Sequence, residues 1–153
     1  MRFTEELQAW LKAALADPIA ELLSRNSHLT KIQLETLLID ILSDNIAGKT
    51  LKYDQKASLR LVKAKISRGS FNRTLAQAKN NVTKSIYTVI LLGYLGIFAN
   101  TSLDPYLEVA NKLNAFVSTF KGTEDHPLEH SEPTNAIKIL RQEIERTLQN
   151  LSI

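Results

Sequence analysis

The sequence predicts an all-α fold, a multi-helix bundle, and three observations carry that prediction. Glycine and proline, the residues that most disfavour a helix interior, number only 5 and 4 among 153 residues. Leu, Ala, Lys, Glu and Gln, which lose little freedom on entering a helix, are plentiful. Apolar residues recur three and four apart along most of the chain, the period of a helix buried on one side. A hydrophobic content of 44% with 23% charged residues belongs to a folded chain with an ordinary core.

Residues 3–16 form the first predicted helix, with Leu7, Trp10, Leu11, Ala14 and Leu15 on its apolar side. Asp17 caps a short second helix whose first position, Pro18, has no N–H to leave unpaired, and Ile19, Leu22 and Leu23 give it an apolar face. After the polar connection Ser24–His28, a third helix over 30–45 carries the stripe Leu34, Leu37, Leu38, Ile41 and Leu42, and Gly48 stops it. Residues 53–64 read as a basic helix with Ala57, Leu61 and Ala64 on one side. Ser67 then caps a helix over 68–81 in which Phe71, Leu75, Ala78 and Val82 make one buried stripe.

Residues 85–99 are the most apolar stretch. They fall short of the roughly 20 residues a membrane span needs, so they read as a buried core helix in which Gly93 and Gly96 allow close packing. A turn at Asn100–Ser102 leads to a helix over 103–120 with Leu103, Leu107, Ala110, Leu113, Val117 and Phe120 inward. Residues 121–133 hold two Pro and one Gly among polar residues and read as a linker or mobile loop. The last helix, 134–151, is striped by Ile137, Leu140, Ile144, Leu148 and Leu151. The expected organisation is a helical domain over 1–120, the linker over 121–133 and a C-terminal helix over 134–153.

Several function classes fall away on residue chemistry. With no cysteine there is no disulfide, thiolate metal site or Cys nucleophile. His126 and His130 have the spacing of two ligands on a helix, but Pro127 between them argues for a loop, so no metal is expected. No phosphate-binding glycine loop is present. The acid pairs Glu5/Glu6, Glu124/Asp125 and Glu143/Glu145 read as solvated charge. The chain is therefore expected not to be an enzyme and to need no cofactor. Its first residues carry acids where a signal peptide carries bases, which reads as cytoplasmic.

The charge is unevenly distributed. Residues 47–84 contain ten Lys or Arg and one acid, Asp54, a net +9, while the rest holds nine bases and fifteen acids, a net −6. A basic block within an otherwise acidic chain is the footprint of a polyanion partner. On a wheel of 100° per residue, the side of the 68–81 helix opposite Phe71 and Leu75 holds Gly69, Ser70, Arg73, Ala76, Gln77 and Asn80. Arg pairs well with guanine, Gln and Asn with adenine, and the small Gly69 and Ala76 permit close approach to a groove. Ser70, Arg73, Gln77 and Asn80 are thus the candidates for base reading. Lys52, Lys56, Arg60, Lys63, Lys65, Arg68, Lys79 and Lys84 are the candidates for phosphate contact.

The run Ile66-Ser67-Arg68-Gly69-Ser70-Phe71-Asn72-Arg73-Thr74-Leu75-Ala76-Gln77-Ala78-Lys79 resembles the recognition half of a helix-turn-helix. It is similar to the type in sigma-factor region 4 and related bacterial and archaeal regulators. Ser67, Phe71, Leu75 and Ala78 match that pattern, about 30 residues are covered, and Tyr53–Ala64 takes the place of the supporting helix. Lys65 stands where the family usually has glycine in the turn, and Leu61 where it usually has alanine. The resemblance implies binding of double-stranded DNA in transcriptional regulation or chromosome association, hence a nucleoid location, commonly as a dimer. Leu113, Val117, Ile137, Leu140, Ile144, Leu148 and Leu151 are the expected dimer contacts. The acidic C-terminal half offers a surface to a protein partner. The competing reading is a helical adaptor whose basic patch binds RNA or an acidic protein.

Overall fold

The computed structural model describes residues 2–62, 65–97 and 104–121, and near the C-terminus 138–139, 141–142 and 144–146. The protein is all-α: among the described residues the regular elements are helices α1 (Arg2–Ala16), α2 (Pro18–Arg25), α3 (Lys31–Ala47), α4 (Tyr53–Ser58), α5 (Arg68–Tyr94) and α6 (Asp104–Lys121), with no strand. Contacts divide the chain into two compact units, Met1–Thr88 and Val89–Ile153.

In the first unit the helix ends follow from local chemistry. Asp17 Oδ1 accepts from the amides of Ile19 and Ala20, both at 2.9 Å, and Pro18 opens α2. Thr30 and Gln33 cap α3 reciprocally, each side chain accepting from the other's amide at 3.2 and 3.1 Å. Gly48, at φ 62°, ends α3 in the left-handed conformation that glycine adopts without steric cost. Ser67 Oγ accepts from the amide of Ser70 at 3.1 Å and starts α5. The core gathers Leu7 and Leu11 from α1, Ile39 from α3, Leu51, Ala57 and Leu59 around α4, and Phe71 and Leu75 from α5.

Trp10 of α1 and Leu23 of α2, expected on apolar faces, are exposed, and from α3 to the end of α5 the structure departs from the sequence reading in four places. The first is α3. Its fully buried residues are Glu35, Thr36, Ile39 and Ser43; of the expected stripe, Leu37, Leu38 and Leu42 are partly buried and pack against the core, Leu34 is half-buried and Ile41 is exposed. Leucines and isoleucines cover so much of this helix that hydrophobicity alone does not select the inner face; the partners of Glu35 select it.

The second is the end of α4. The helix expected to reach Ala64 stops at Ser58. The amides of Leu61 and Val62, which a longer helix would donate to Ala57 and Ser58, donate instead to Oε1 of Glu35. Arg60 turns inward, its Nε 3.2 Å from Glu35 Oε2, with both side chains buried. The connection from α4 to α5 is therefore Leu59–Ser67, longer than the 3–4-residue turn of the tight motif. Within it Lys65 has φ 61°, the left-handed conformation expected at the position that glycine usually fills.

The third is α5, one helix where two were expected. Val82-Thr83-Lys84 contains no glycine or proline to stop it. Thr83, Ser85 and Thr88 return their hydroxyls to the carbonyls of Lys79, Asn81 and Lys84 at 2.9–3.0 Å, so these polar side chains are satisfied inside the helix. Gly96, at φ 70°, provides the stop: Ile97 N donates to Leu92 O and Gly96 N to Gly93 O, a Schellman closure. The fourth departure follows. The 85–97 stretch is not a buried core helix, since Ile86, Tyr87, Ile90, Leu91, Tyr94 and Leu95 are each more than half exposed, and Val82 is exposed as well.

In the second unit Leu113 of α6 is buried, while Leu107 and Ala110, expected inward, are exposed. Ile144 is half-buried and Ile139 exposed. Ile137, Leu140, Leu148 and Leu151, like most of 121–133, lie outside the described residues, as does the side chain of Val117.

Two stability outcomes follow. Glu35→Ala leaves the Arg60 guanidinium and two amides without their acceptor, and urea unfolding should show a loss of about 3–5 kcal/mol. Lys65→Gly relieves a left-handed lysine and should hold or raise stability, by up to about 1 kcal/mol, whereas the β-branched Lys65→Val should lower the midpoint.

Candidate nucleic-acid interface

The first turns of α5 are fixed from two sides. Inside, Phe71, Leu75 and Ala78 are buried at the helical repeat, and the Phe71 ring lies 6.4 Å from that of Tyr53. At its edge, Asn81 Nδ2 donates to the carbonyl of His28 at 2.9 Å and to Gln33 Oε1 at 3.2 Å, tying α5 to the start of α3. With the inner face held, the outer face is set by helix geometry. Ser70, Arg73, Gln77 and Asn80 are all exposed there, within an arc of about 80°. Gly69 and Ala76 beside them are exposed too. No acid occurs anywhere in α5.

The basic residues separate into two groups. Lys52, Lys65, Arg68 and Lys84 are exposed and can meet an anion. Lys63 lies outside the described residues. Lys56 and Arg60 correct the sequence reading: both are buried, at 3% exposure, and neither is available to a phosphate. Arg60 belongs to Glu35. Lys56 Nζ donates to Asp40 Oδ1 at 2.9 Å, to Asp44 Oδ2 at 2.8 Å and to the Asp40 carbonyl at 3.2 Å, and it lies 5.6 Å from the Tyr53 ring centre. Part of the +9 block is thus neutralised from within by α3.

Lys79 stands between the groups. Its ammonium contacts Asp40 Oδ2 at 2.8 Å, yet its side chain remains half exposed. Asp40 therefore takes one lysine from α4 and one from α5, a different oxygen for each. Sequence reading missed Glu35, Asp40, Asp44 and Asn81 as positioning residues. The available signal was the spacing of Asp40 and Asp44, four apart on a helix that otherwise carries only Glu35 and Lys31 as charges.

The titration behaviour follows from this cluster. Burial tends to raise the Asp40 carboxyl, but the hydrogen bonds from Lys79 and Lys56 outweigh it and hold the group below its ordinary value. Asp44 is lowered by the Leu51 amide, 2.9 Å from its Oδ1, and then by Lys56. Burial tends to lower Lys56, but its bonds to Asp44 and Asp40 raise it above an ordinary lysine. Among the described residues no group of three His or acidic side chains is placed to hold a metal ion, and no helix is long and apolar enough to cross a membrane. His126 and His130 lie outside the described residues.

A carboxyl lowered on folding stabilises the fold above its unfolded value, near 3.9, and that contribution disappears as pH falls through the folded value. The difference in urea midpoint between the parent and Asp40→Asn should accordingly stay level between roughly pH 5 and 9 and shrink below about pH 4. The raised Lys56 acts at the other end: its contribution is complete below about pH 10.4 and is lost as pH rises through its folded value.

Comparison of the chain with protein-family models, with curated proteins and with solved structures returns no match. What the α5 face does is accordingly read from its own residues and geometry.

Proposed function

We propose that the protein binds double-stranded DNA through the outer face of α5, in transcriptional regulation or chromosome association. One observation carries this reading: Ser70, Arg73, Gln77 and Asn80 lie together and exposed on the side of α5 opposite its core contacts, in a helix without acids. Arg73 can donate a parallel pair of hydrogen bonds to guanine, Gln77 and Asn80 can each pair with adenine, and Ser70 suits either. Lys52, Lys65, Arg68 and Lys84, with Lys79 released from or shared with Asp40, contact phosphates and fix orientation. In this reading α4 and α5 act as an open variant of the helix-turn-helix, with Leu59–Ser67 in place of the tight turn.

Duplex is favoured over single strands or RNA by the fate of the aromatic residues. Phe71 is fully buried against Tyr53, so the basic segment offers no pair of rings on which unpaired bases could stack. An acidic protein partner would need no base-reading face and leaves the Arg73–Gln77–Asn80 set unexplained.

The test is fluorescence anisotropy of labelled duplexes at several salt concentrations, with single-stranded DNA and RNA as competitors. After selection of a preferred site, Arg73→Ala should weaken binding to that site by about 1–3 kcal/mol while changing binding to random duplex little. Arg68→Ala should weaken both alike and reduce the slope of log affinity against log salt by about 0.9. Lys56→Gln should lower stability and leave the slope of the folded protein unchanged. Equal losses on preferred and random duplexes for Arg73→Ala, or preference for single strands, would remove the base-reading assignment.

A further inference from the structure

The distal part of α5 carries a second surface that the DNA reading does not use. Ile86, Tyr87, Ile90, Leu91 and Tyr94 lie within an arc of about 140° of one helix. They are 55%, 67%, 59%, 54% and 87% exposed, and Leu95 just beyond the helix end is 59% exposed. All are on α5 or its immediate cap, so their mutual arrangement is set by helix geometry alone. From Ser85 to Leu103 the sequence holds no charged residue.

We propose that this surface is where two copies of the chain associate, α5 against α5. Three features select a second copy as the occupant. The first is area: at these exposures the six side chains present on the order of 700 Å², and the part that one crossing helix covers falls in the range of weaker, concentration-dependent associations. The second is pattern. Ile86, Ile90 and Tyr94 form one row at spacing four, and Tyr87, Leu91 and Leu95 form a parallel row beside it. Two such rows enclose a groove that receives the same row of an identical helix, which is the commonest helix-packing class, with axes crossing near −50°. The third is charge. An uncharged patch meets its own copy without repulsion, in a self-complementary two-fold contact. The expected dimer residue Leu113 is by contrast already buried within its own chain.

The proposal stands apart from DNA binding and is tested without DNA. The full-length protein should sediment as a concentration-dependent monomer–dimer mixture. Ile90→Glu should leave the helical circular dichroism intact and shift the dissociation constant upward by at least tenfold. Because the parent has no cysteine, single substitutions also report the contact directly. Ile90→Cys should form a disulfide-linked dimer on mild oxidation, and Ser58→Cys, exposed but far from α5's apolar rows in sequence, should not. Should Ile90→Glu fail to fold, the cysteine pair alone decides. A parent that stays monomeric up to high micromolar concentration overturns the proposal, as does a dimer that Ile90→Glu leaves unchanged or that Ile90→Cys does not trap.

Discussion

The first unit is organised around one buried carboxylate. Glu35 sits at the inner face of α3, and its two oxygens take an arginine Nε and two consecutive amides from the segment after α4. A carboxylate removed from water is strongly unfavourable unless its acceptor sites are filled by good donors. Filling them requires α4 to stop, Arg60 to turn inward and the chain to leave toward α5 from a fixed place. The rotation of α3, the short α4 and the course of Leu59–Val62 are therefore aspects of one constraint. A second layer of the same kind, Asp40 and Asp44 around Lys56 and Lys79, joins α3 to α4 and α5. These ions supply directional contacts between named partners on α3, on α4 and the segment after it, and on α5, which the leucines and isoleucines that together cover much of α3 do not.

Much of the fold was legible in the sequence because the relevant forces are local. The Asp17-Pro18 start of α2, the Gly48 stop and the Ser67 cap each depend on residues within a few positions, and each is present as read. The Phe71–Leu75–Ala78 stripe is likewise buried as its spacing requires. Ser70, Arg73, Gln77 and Asn80 are exposed because the face opposite a held stripe has nowhere else to go. What was not legible depends on partners distant in sequence. Lys56 and Arg60 look like surface bases in a basic run, and only their acids on α3, 12 to 25 residues away, turn them inward. The continuity of α5 past Asn81 was missed for a local reason: the polar run Thr83-Lys84-Ser85 interrupts the apolar pattern without stopping the helix, because its hydroxyls close back on the helix's own carbonyls.

These findings also change what the basic block means. A count of charges treats every lysine and arginine as available to a partner. Here two of them serve the interior and a third is shared with Asp40, so the field outside the molecule is weaker and narrower than the sequence implies. Among the described residues the exposed bases that remain include Lys52, Lys65, Arg68, Arg73 and Lys84, most of them on α5 or just before it.

The stop imposed on α4 by Glu35 has a consequence for how the chain acquires its shape. The acceptor lies 25 to 27 residues from the groups it captures, so the end of α4 at Ser58 is set in part from outside its own segment. A helix of this length is marginal in water by itself, so α4 acquires its boundary together with its place against α3. The end of one helix is thus a property of the pair, and a change at Glu35 is read out in the secondary structure of a segment it does not adjoin.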